Sequence, residues 1–467
     1  MKKFYLFAAA AVLLTACVKT QNLDEVAPIN TDETAVSFDV YTARATKAGK
    51  PQEITTAVLK EGPGFGVFAY YTDNAKYDPY VKPNFMYNQQ VKWNAESKVW
   101  AYEPVKYWPN ETGDAAITDD TDYVTFFAYA PYVISVPSSG AVKVPEGKGL
   151  DETEEQHRNI TGMITNNTMG DPMIKYVVDW NPKTSVDLLW GVQPENEDPI
   201  VGKYAGFPFL DQLKPRTTNP KELEFKLMHA LAKLNVQIDA DVDANNHDQK
   251  VDSLTRIYVR SVTFEGFASK GALNLNNTVK DTPLWMDYNG IDNLVGEPVT
   301  IFDGRKDGKE GHRDGVATRE KVLGLNPEII QSAPYKTLEL TDGVTNNAVN
   351  LFQPIVVPND PAVAISKVDP VFVIPNGEEM AITIEYDVET IDENLAGYLS
   401  DGVTHGSSIK NTITKFILDS NDAKVKMVAG KAYTITLHLG MTSVKVRAVV
   451  NEWDEPAEFE VALPANE

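Results

Sequence analysis

The chain has 467 residues, 43% of them hydrophobic and 23% charged, which is typical of a folded globular protein and excludes a disordered chain or a membrane bundle. Its 66 acidic residues outnumber its 43 basic ones, giving a formal net charge of −23. Binding to a nucleic-acid backbone needs a concentrated positive surface, so this charge argues against a nucleic-acid partner. The single cysteine excludes an intramolecular disulfide framework and cysteine-rich zinc sites.

The first sixteen residues predict an export signal. Lys2 and Lys3 are followed by residues 4–16, which are apolar apart from Thr15. This run is shorter than the about 20 residues of a bilayer-spanning helix, and it fits the apolar region of a signal peptide. The sequence Leu-Thr-Ala-Cys that ends at Cys17 resembles a bacterial lipobox. We predict a lipoprotein signal peptide over 1–16 and lipidation of Cys17; the alternative is an ordinary signal peptide with an incidental cysteine.

Residues 17–35 are polar and are predicted as a flexible tether between the lipid and the folded body. Acyl chains on Cys17 would give stable membrane anchoring. This covalent lipid is the one attached group that the sequence predicts, and no cofactor is expected.

The body of the chain predicts an all-β fold. Apolar and polar residues alternate with a period of two, and Val, Ile, Thr, Phe and Tyr are frequent, which is typical of half-buried antiparallel strands. Strands are predicted at Val36–Val40, Gly66–Tyr71, Val124–Tyr129, Leu223–Leu227, Leu234–Ile238, Ile257–Phe264, Ile382–Val388, Tyr433–Leu439 and Ser443–Val450. Short helical turns are predicted at Met228–Lys233 and Asp392–Leu399.

A segment with weaker strand signal, from about Asn276 to Asn350, predicts a domain boundary near residue 280. It includes the charged, glycine-rich segment 303–311, which we interpret as an exposed loop because its spacing does not match a calcium loop. The chain therefore predicts two β-sandwich domains, over 36–280 and 281–467.

Aromatic residues are concentrated in the first predicted domain. Eleven of them fall within residues 70–108: Tyr70, Tyr71, Tyr77, Tyr80, Phe85, Tyr87, Trp93, Trp100, Tyr102, Tyr107 and Trp108. An aromatic core between sheets is the favoured interpretation, because such side chains dominate core energetics. A carbohydrate-stacking platform is the alternative.

No catalytic or metal-binding motif is found in the sequence. It has no HExxH, no G-x-S-x-G, no P-loop and no G-x-G-x-x-G pattern. His229 lies in an apolar stretch and is predicted to be a packed, hydrogen-bonded histidine. We therefore expect no enzymatic activity and assign no catalytic or metal-ligating residue, although 66 carboxylates leave a glycosidase acid pair open.

Several sequence segments, taken together in chain order, resemble the fimbrillin (type V pilin) lipoprotein family of the Bacteroidetes. The segments are Val36-Ser37-Phe38, Phe65-Gly66-Val67-Phe68-Ala69-Tyr70, Trp100-Ala101-Tyr102-Glu103-Pro104-Val105-Lys106-Tyr107-Trp108-Pro109, Phe127-Ala128-Tyr129-Ala130-Pro131-Tyr132, His229-Ala230-Leu231-Ala232-Lys233-Leu234, Val373-Ile374-Pro375, Gly430-Lys431-Ala432-Tyr433-Thr434-Ile435-Thr436-Leu437 and Val449-Val450-Asn451-Glu452-Trp453. The resemblance implies two transthyretin-like β-sandwiches in tandem, made as a lipoprotein precursor.

The resemblance also implies assembly by β-strand exchange. In this family a trypsin-like protease removes the first strand, and a strand of another subunit fills the groove. Arg44 and Lys47 are the candidate cleavage residues; otherwise they are solvated loop cations. The displaced strand would carry Val36, Phe38 and Val40. A candidate donor strand alternates apolar residues near the C-terminus, at Ala457, Phe459, Val461 and Leu463; otherwise it is an ordinary edge strand.

The implied function is that of a stalk, tip or anchor subunit of cell-surface fimbriae that act in adhesion. Its expected partners are other fimbrial subunits, the outer membrane through the lipid anchor, and a host protein or glycan receptor. The expected location is the outer membrane, with the body surface-exposed in the fimbrium. The alternative function is a glycan-binding surface lipoprotein that uses the Tyr/Trp-rich region.

Overall fold

The structure is a computed structural model of the 467-residue chain. It describes residues 35–42, 54–80, 82–109, 122–136, 139–142, 159–164, 170–196, 204–213, 222–240, 254–303, 338–341, 347–352, 356–358, 370–399, 404–419, 423–440 and 444–452.

These residues form one short helix and twenty-four strands. The helix is α1 (Thr56–Glu61). Up to residue 240 the strands are β1 (Ser37–Thr42), β2 (Phe65–Asp73), β3 (Met86–Asn94), β4 (Val99–Ala101), β5 (Tyr123–Ala130), β6 (Ile160–Met163), β7 (Met173–Val177), β8 (Leu189–Val192), β9 (Phe209–Gln212), β10 (Glu222–His229) and β11 (Ala232–Ala240). After it they are β12 (Thr255–Glu265), β13 (Phe267–Ala268), β14 (Lys270–Asn274), β15 (Leu284–Met286), β16 (Val299–Asp303), β17 (Leu338–Thr341), β18 (Asn347–Asn350), β19 (Val356–Pro358), β20 (Val371–Pro375), β21 (Ala381–Ile391), β22 (Gly406–Phe416), β23 (Lys431–Leu439) and β24 (Val444–Glu452).

The first sheet has eight strands, in the order β1-β10-β8-β5-β2-β3-β4, with β9 beside β5. Its central strands are buried on both faces, as in β5, where all eight residues are buried. Phe126 and Ala128 belong to one core, whereas Phe127 and Tyr129 belong to another. Because alternate side chains leave opposite faces of a strand, this sheet carries a separate core on each face.

A four-stranded sheet, β15-β14-β7-β6, shares a core with one face of the first sheet. Two further sheets contain most of the later strands. One has the order β13-β20-β11-β18-β19, with β23 and β24 added beside β11, and the other has the order β16-β12-β21-β22, with β17 beside β12. Inward residues of both, such as Val236 and Ile384, belong to the same continuous core. The described residues are thus almost entirely β, in several sheets consistent with β-sandwich packing.

The predicted strands are confirmed, but their direction is not uniformly antiparallel. β1 pairs with β10 in parallel, and β11 pairs with β23 in parallel. The prediction of purely antiparallel sheets is wrong at these two pairs, because period-two alternation reports burial and not strand direction. In both pairs the two strands are far apart in sequence, so no hairpin turn imposes an antiparallel arrangement.

The helical turn predicted at Met228–Lys233 is also wrong. This segment is the end of β10 and the start of β11, joined by Ala230 and Leu231. The segment Asp392–Leu399 forms a single turn in which Leu395 N donates to the Asp392 carbonyl at 3.1 Å. Pairing with neighbouring strands outweighs helix propensity at the first site.

At 230–231 the chain passes from the first sheet to the sheet that contains β11. The domain ranges 36–280 and 281–467, and the transthyretin-like topology, stay predictions. Within the described part of the chain, no helix has the length and apolar character needed to cross a membrane.

Candidate functional site

The candidate site is the seat of β1, meaning the position that β1 occupies beside β10. The two strands are in register from Ser37 opposite Glu222 to Thr42 opposite Leu227. β1 ends the strand order of its sheet. Removal of an edge strand leaves the backbone groups of its neighbour unpaired, so β1 covers hydrogen-bonding groups of β10 that another extended strand can use.

The inward face of β1 and of the residue before it is deeply buried. Val36, Phe38 and Val40 are 1%, 3% and 4% exposed, and all three belong to the core enclosed by the first sheet. The polar residues between them, Ser37 and Asp39, are only half-buried. This is the arrangement that the alternation predicts; displacement of the strand stays a prediction.

The Phe38 ring lies among four other aromatic rings contributed by different parts of the first sheet. The distances from its centroid are 5.5 Å to Tyr102, 5.9 Å to Phe126, 6.2 Å to Phe225 and 6.4 Å to Phe65. Aromatic pairs within this range attract one another beyond the effect of area burial alone. These rings therefore form a pocket shaped for a large apolar side chain, which we call the Phe38 pocket.

The start of β1 is fastened to the loop that follows β4. Val36 N donates to the Lys106 carbonyl at 2.9 Å, and the Tyr102 hydroxyl donates to the Val36 carbonyl at 2.8 Å. An isolated antiparallel bridge joins Ala35 to Tyr107. The two ends of the strand order thus approach each other, and the core beneath them is enclosed.

The end of β1 is fastened to α1. Thr42 N donates to Thr56 Oγ1 at 2.9 Å. The helix is capped by Thr55, whose side chain accepts from Val58 N. Leu59 of the helix and Ile54 before it are buried in the same core as Phe38. The chain on either side of residues 43–53 is therefore held in place independently of that segment.

The outward face of the β1–β10 pair is acidic. Asp39 lies opposite Glu224, and Glu222 lies two pairs earlier, opposite Ser37. Burial raises the pKa of the Glu222 carboxyl, and the neighbouring carboxylates of Asp39 and Glu224 raise it further. The pKa of the Tyr41 hydroxyl is raised by burial first and then by carboxylates that include Glu224. The carboxylate contributions to the two shifts, which are smaller than that of burial, indicate a negative potential along this face.

Two cations lie near this acidic face, and each is close to a carboxylate. Lys226 is opposite Tyr41, and its Nζ atom lies 3.1 Å from an Asp281 carboxylate oxygen. Lys280 Nζ lies 2.8 Å from a Glu195 carboxylate oxygen. These pairings direct the two positive charges toward Asp281 and Glu195 instead of toward Asp39.

The other predicted site residues lie outside the described residues. These are the lipidation residue Cys17, the candidate cleavage residues Arg44 and Lys47, and the candidate donor strand with Ala457, Phe459, Val461 and Leu463. Their roles stay predictions. Arg44 and Lys47 follow the end of β1 by two and five residues in the sequence.

The aromatic-rich region contributes mainly to the cores. Tyr70, Trp100, Tyr102 and Trp108 are buried, and the seven others are half-buried or exposed. Of the eleven, Tyr80 and Tyr107 are at least 36% exposed, at 74% and 45%. Most of these rings are therefore occupied by packing, as the favoured interpretation predicts.

His229 is packed and hydrogen-bonded, as the sequence predicts. It is 9% exposed, and its Nδ1 atom lies 2.7 Å from the Asp187 carboxylate, which is fully buried. Among the described residues, no three His, Cys, Asp or Glu side chains are grouped so that they could hold a metal ion.

Sequence reasoning missed the role of Tyr102, although a signal was present. The pattern Tyr-X-Pro occurs at residues 77–79, 102–104, 107–109 and 129–131. At residues 102–104 and 129–131 the backbone N–H four residues after the tyrosine donates to its hydroxyl at 3.2 Å, from Lys106 to Tyr102 and from Val133 to Tyr129. No sequence pattern indicated that Glu222 and Glu224 would lie beside β1, because their position there depends on the β1–β10 register.

Comparisons with known proteins give one curated relative and several similar solved structures. Fimbrium subunit Fim1C of Phocaeicola vulgatus is 29% identical over 248 residues, which are 52% of this chain and 52% of that protein. The chain thus matches about half the length of this curated relative. No family model matches the chain.

Two similar solved structures are named as fimbrial proteins. One is a fimbrial protein from Bacteroides vulgatus, 20% identical, covering 90% of this chain and 99% of that chain with a TM-score of 0.44. The other is the tip fimbrial protein Mfa3 from Porphyromonas gingivalis with a C-terminal truncation, 8% identical, covering 90% and 99% with a TM-score of 0.25. The 248-residue match makes this chain a homologue of a Bacteroidetes fimbrium subunit, and it confirms the resemblance to the fimbrillin-like family.

Proposed function

We propose that this chain is a non-enzymatic structural subunit of cell-surface fimbriae that act in adhesion, and that it assembles by protease-triggered strand exchange at the seat of β1. The observation that carries the proposal is the position of β1. It is an edge strand whose inward side chains fill a pocket of the sheet, and it ends two residues before Arg44.

The seat is deep enough to hold a strand firmly. Val36, Phe38 and Val40 are buried, and burial of such side chains stabilises by roughly 1.5–3 kcal/mol each. An incoming strand with similar apolar spacing gains this energy together with a ladder of main-chain hydrogen bonds to β10. A joint formed in this way resists dissociation between subunits.

The segment between β1 and α1 suits cleavage. A cut after Arg44 or Lys47 separates β1 from the body without removing Ile54 or Leu59, which pack in the core beneath the seat. After the cut, the body therefore still contains the core residues Ile54 and Leu59, while β1 is free to dissociate. The lipid on Cys17 stays with the fragment that carries β1, so cleavage also releases the body from the membrane anchor.

In this proposal, Cys17 anchors the uncleaved precursor to the outer membrane with its body surface-exposed. The segment with Ala457, Phe459, Val461 and Leu463 acts as donor strand for a neighbouring subunit. The partners are other fimbrial subunits and, at the exposed end of the fibre, a host protein or glycan receptor.

The experiment is mild trypsin treatment of the purified full-length chain, with intact mass measured before and after and multimers examined on unboiled gels. We expect a first cut after Arg44 or Lys47, and multimers that disappear on boiling once the cut chain is mixed with a subunit that supplies a donor strand. Deletion of residues 457–467 should abolish a ladder formed by copies of this chain alone.

The matched control is the variant Arg44→Gln/Lys47→Gln, which has the same body without the cleavage residues. It should remain monomeric under the same protease treatment. A wild-type chain that is cut at residue 44 or 47, releases β1 and accepts no strand from any source contradicts the strand-exchange function.

A further inference from the structure

The seat of β1 also specifies the chemistry of the strand that it accepts, and this inference rests on the proposed function. After β1 leaves, two features remain that any occupant must match. One is the Phe38 pocket, lined by the rings of Phe65, Tyr102, Phe126 and Phe225. The other is the buried Tyr102 hydroxyl, which donates to a carbonyl of the docked strand two residues before the pocket side chain. An occupant therefore places a large apolar side chain in the pocket and a carbonyl on Tyr102.

The residue next to the pocket side chain meets the acidic outward face. In the resident strand this residue is Asp39, which lies opposite Glu224 and two pairs from Glu222. Like charges on neighbouring strands are destabilising, and opposite charges stabilise by a similar amount. The resident strand is thus electrostatically unfavourable at this one position.

We propose that the seat of β1 selects a strand from a different subunit, with an aromatic or large aliphatic residue in the Phe38 pocket and a lysine or arginine in place of Asp39. The covalent connection between β1 and the body keeps the unfavourable resident strand docked before cleavage, because it gives the strand a high effective concentration. Once this connection is cut, a strand whose lysine or arginine lies close to Glu222 and Glu224 replaces the resident strand.

This selection works against the chain's own C-terminal segment. When Phe459 occupies the Phe38 pocket, its neighbours are Glu458 and Glu460. Side chains alternate along a strand, so both glutamates point to the outward face whether the segment enters parallel or antiparallel to β10. In the register of β1 they take the positions of Ser37 and Asp39, opposite Glu222 and Glu224. Copies of this chain are therefore poor partners for one another at this seat.

The test uses the full-length chain cut in the segment 43–53 and three fluorescently labelled peptides. The first has the sequence of residues 35–42, the second is the same peptide with Asp39→Lys, and the third has the sequence of residues 456–464. Binding is followed by fluorescence anisotropy and on unboiled gels. We expect the lysine peptide to bind about three- to tenfold more tightly than the other two at low salt. The difference should shrink in 0.5 M NaCl because salt screens exposed charges.

Variants of the body identify the source of the preference. Glu224→Lys should reverse the order of the first two peptides. Glu96→Lys makes the same change in net charge at an exposed position outside the seat, and it should leave the order unchanged. Tyr102→Phe should weaken all three peptides by a similar factor and leave their ratio unchanged, because the hydrogen bond to the strand backbone does not depend on the side chain at position 39.

Equal binding of the lysine and aspartate peptides, or a preference that Glu224→Lys does not alter, overturns the inference while leaving strand exchange intact. Binding of the 456–464 peptide as tightly as the lysine peptide also overturns it, in favour of assembly from identical copies. Failure of every peptide to enter the cut chain overturns both this inference and the proposed function.

Discussion

The Tyr102 hydroxyl donates a 2.8 Å hydrogen bond to the Val36 carbonyl, and the Tyr102 ring lies 5.5 Å from that of Phe38. One side chain thus contacts both the backbone and the main buried ring of the first strand. Burial raises the pKa of the Tyr102 hydroxyl well above its usual value, so it remains a hydrogen-bond donor across the physiological pH range.

Removal of the Tyr102 hydroxyl should weaken the docking of β1 without creating a cavity in the core. Tyr102→Phe keeps the ring and removes the hydroxyl, which leaves the Val36 carbonyl without that donor. We expect the docked strand to lose about 1 kcal/mol of stability. Hydrogen exchange of the β1 amides measures the change. Tyr80→Phe, at a tyrosine that is 74% exposed, is the matched control and should leave the exchange rates unaltered. Equal rates in wild type and Tyr102→Phe would show that this hydrogen bond does not hold the strand.

Truncation of the pocket side chain should have a larger effect. Phe38→Ala removes a ring that contacts four others, and such changes in a core cost about 3–5 kcal/mol. We expect faster proteolysis at residues 43–53 and a lower midpoint of chemical denaturation. Val40→Ala removes fewer buried atoms from the same face of β1 and should have a smaller effect. A similar effect of both variants would contradict a special role for the Phe38 pocket.

The acidic face should make retention of β1 depend on pH. The pKa of Glu222 is raised by burial and by Asp39 and Glu224, so the docked state binds protons more readily than the separated state. This contribution to stability is fully present below the ordinary carboxyl pKa near 4.5, and it is lost as pH rises through the raised value.

A chain cut at residue 44 or 47 should therefore retain β1 better near pH 4.5 than at pH 7. Gel filtration followed by intact mass of the body measures the retained fraction. The variant Glu222→Gln cannot titrate at this position and should show a smaller difference between the two pH values. A pH difference of the same size in both chains would exclude Glu222 as its source.

The buried pair of His229 and Asp187 should stabilise the junction between β10 and β11. His229 is the last residue of β10, and Asp187 lies two residues before β8, the neighbour of β10. Asp187→Asn keeps the shape of the side chain but removes the charge that faces the imidazole. We expect a loss of about 1–3 kcal/mol in the free energy of unfolding. Asp78→Asn, at an exposed aspartate, is the control. A change in unfolding free energy below about 0.5 kcal/mol for Asp187→Asn would contradict a stabilising role for the pair.

Alternation in the sequence predicted which residues of β1 are buried, but not where the strand lies. Val36, Phe38 and Val40 face the core because side chains of a strand alternate between its faces. Their neighbour β10 follows about 180 residues later in the chain, and the two strands are parallel. No local sequence pattern encodes such a pairing. The position of Asp39 opposite Glu224 depends on this pairing, so it could not be predicted from the sequence either.

The prediction of a helical turn at Met228–Lys233 was wrong for a different reason. Alanine, leucine, lysine and methionine are all good helix formers, so local preference favours a helical turn. In the folded chain, Met228 and His229 pair with β8, whereas Ala232 and Lys233 pair with β20. Backbone pairing on both sides of the two linking residues outweighs the small differences in propensity.

This short link has a mechanical consequence. A pull on a strand in the seat of β1, directed along its axis, loads the hydrogen bonds to β10 in shear. Because only Ala230 and Leu231 separate β10 from β11, the tension passes directly to the eight register pairs that join β11 to β23, from Lys233 opposite Ala432 to Ala240 opposite Leu439. Bonds that share a shearing load must break together and not one at a time. The order of strands therefore gives the chain a continuous tensile path from the seat of β1 into its later sheets.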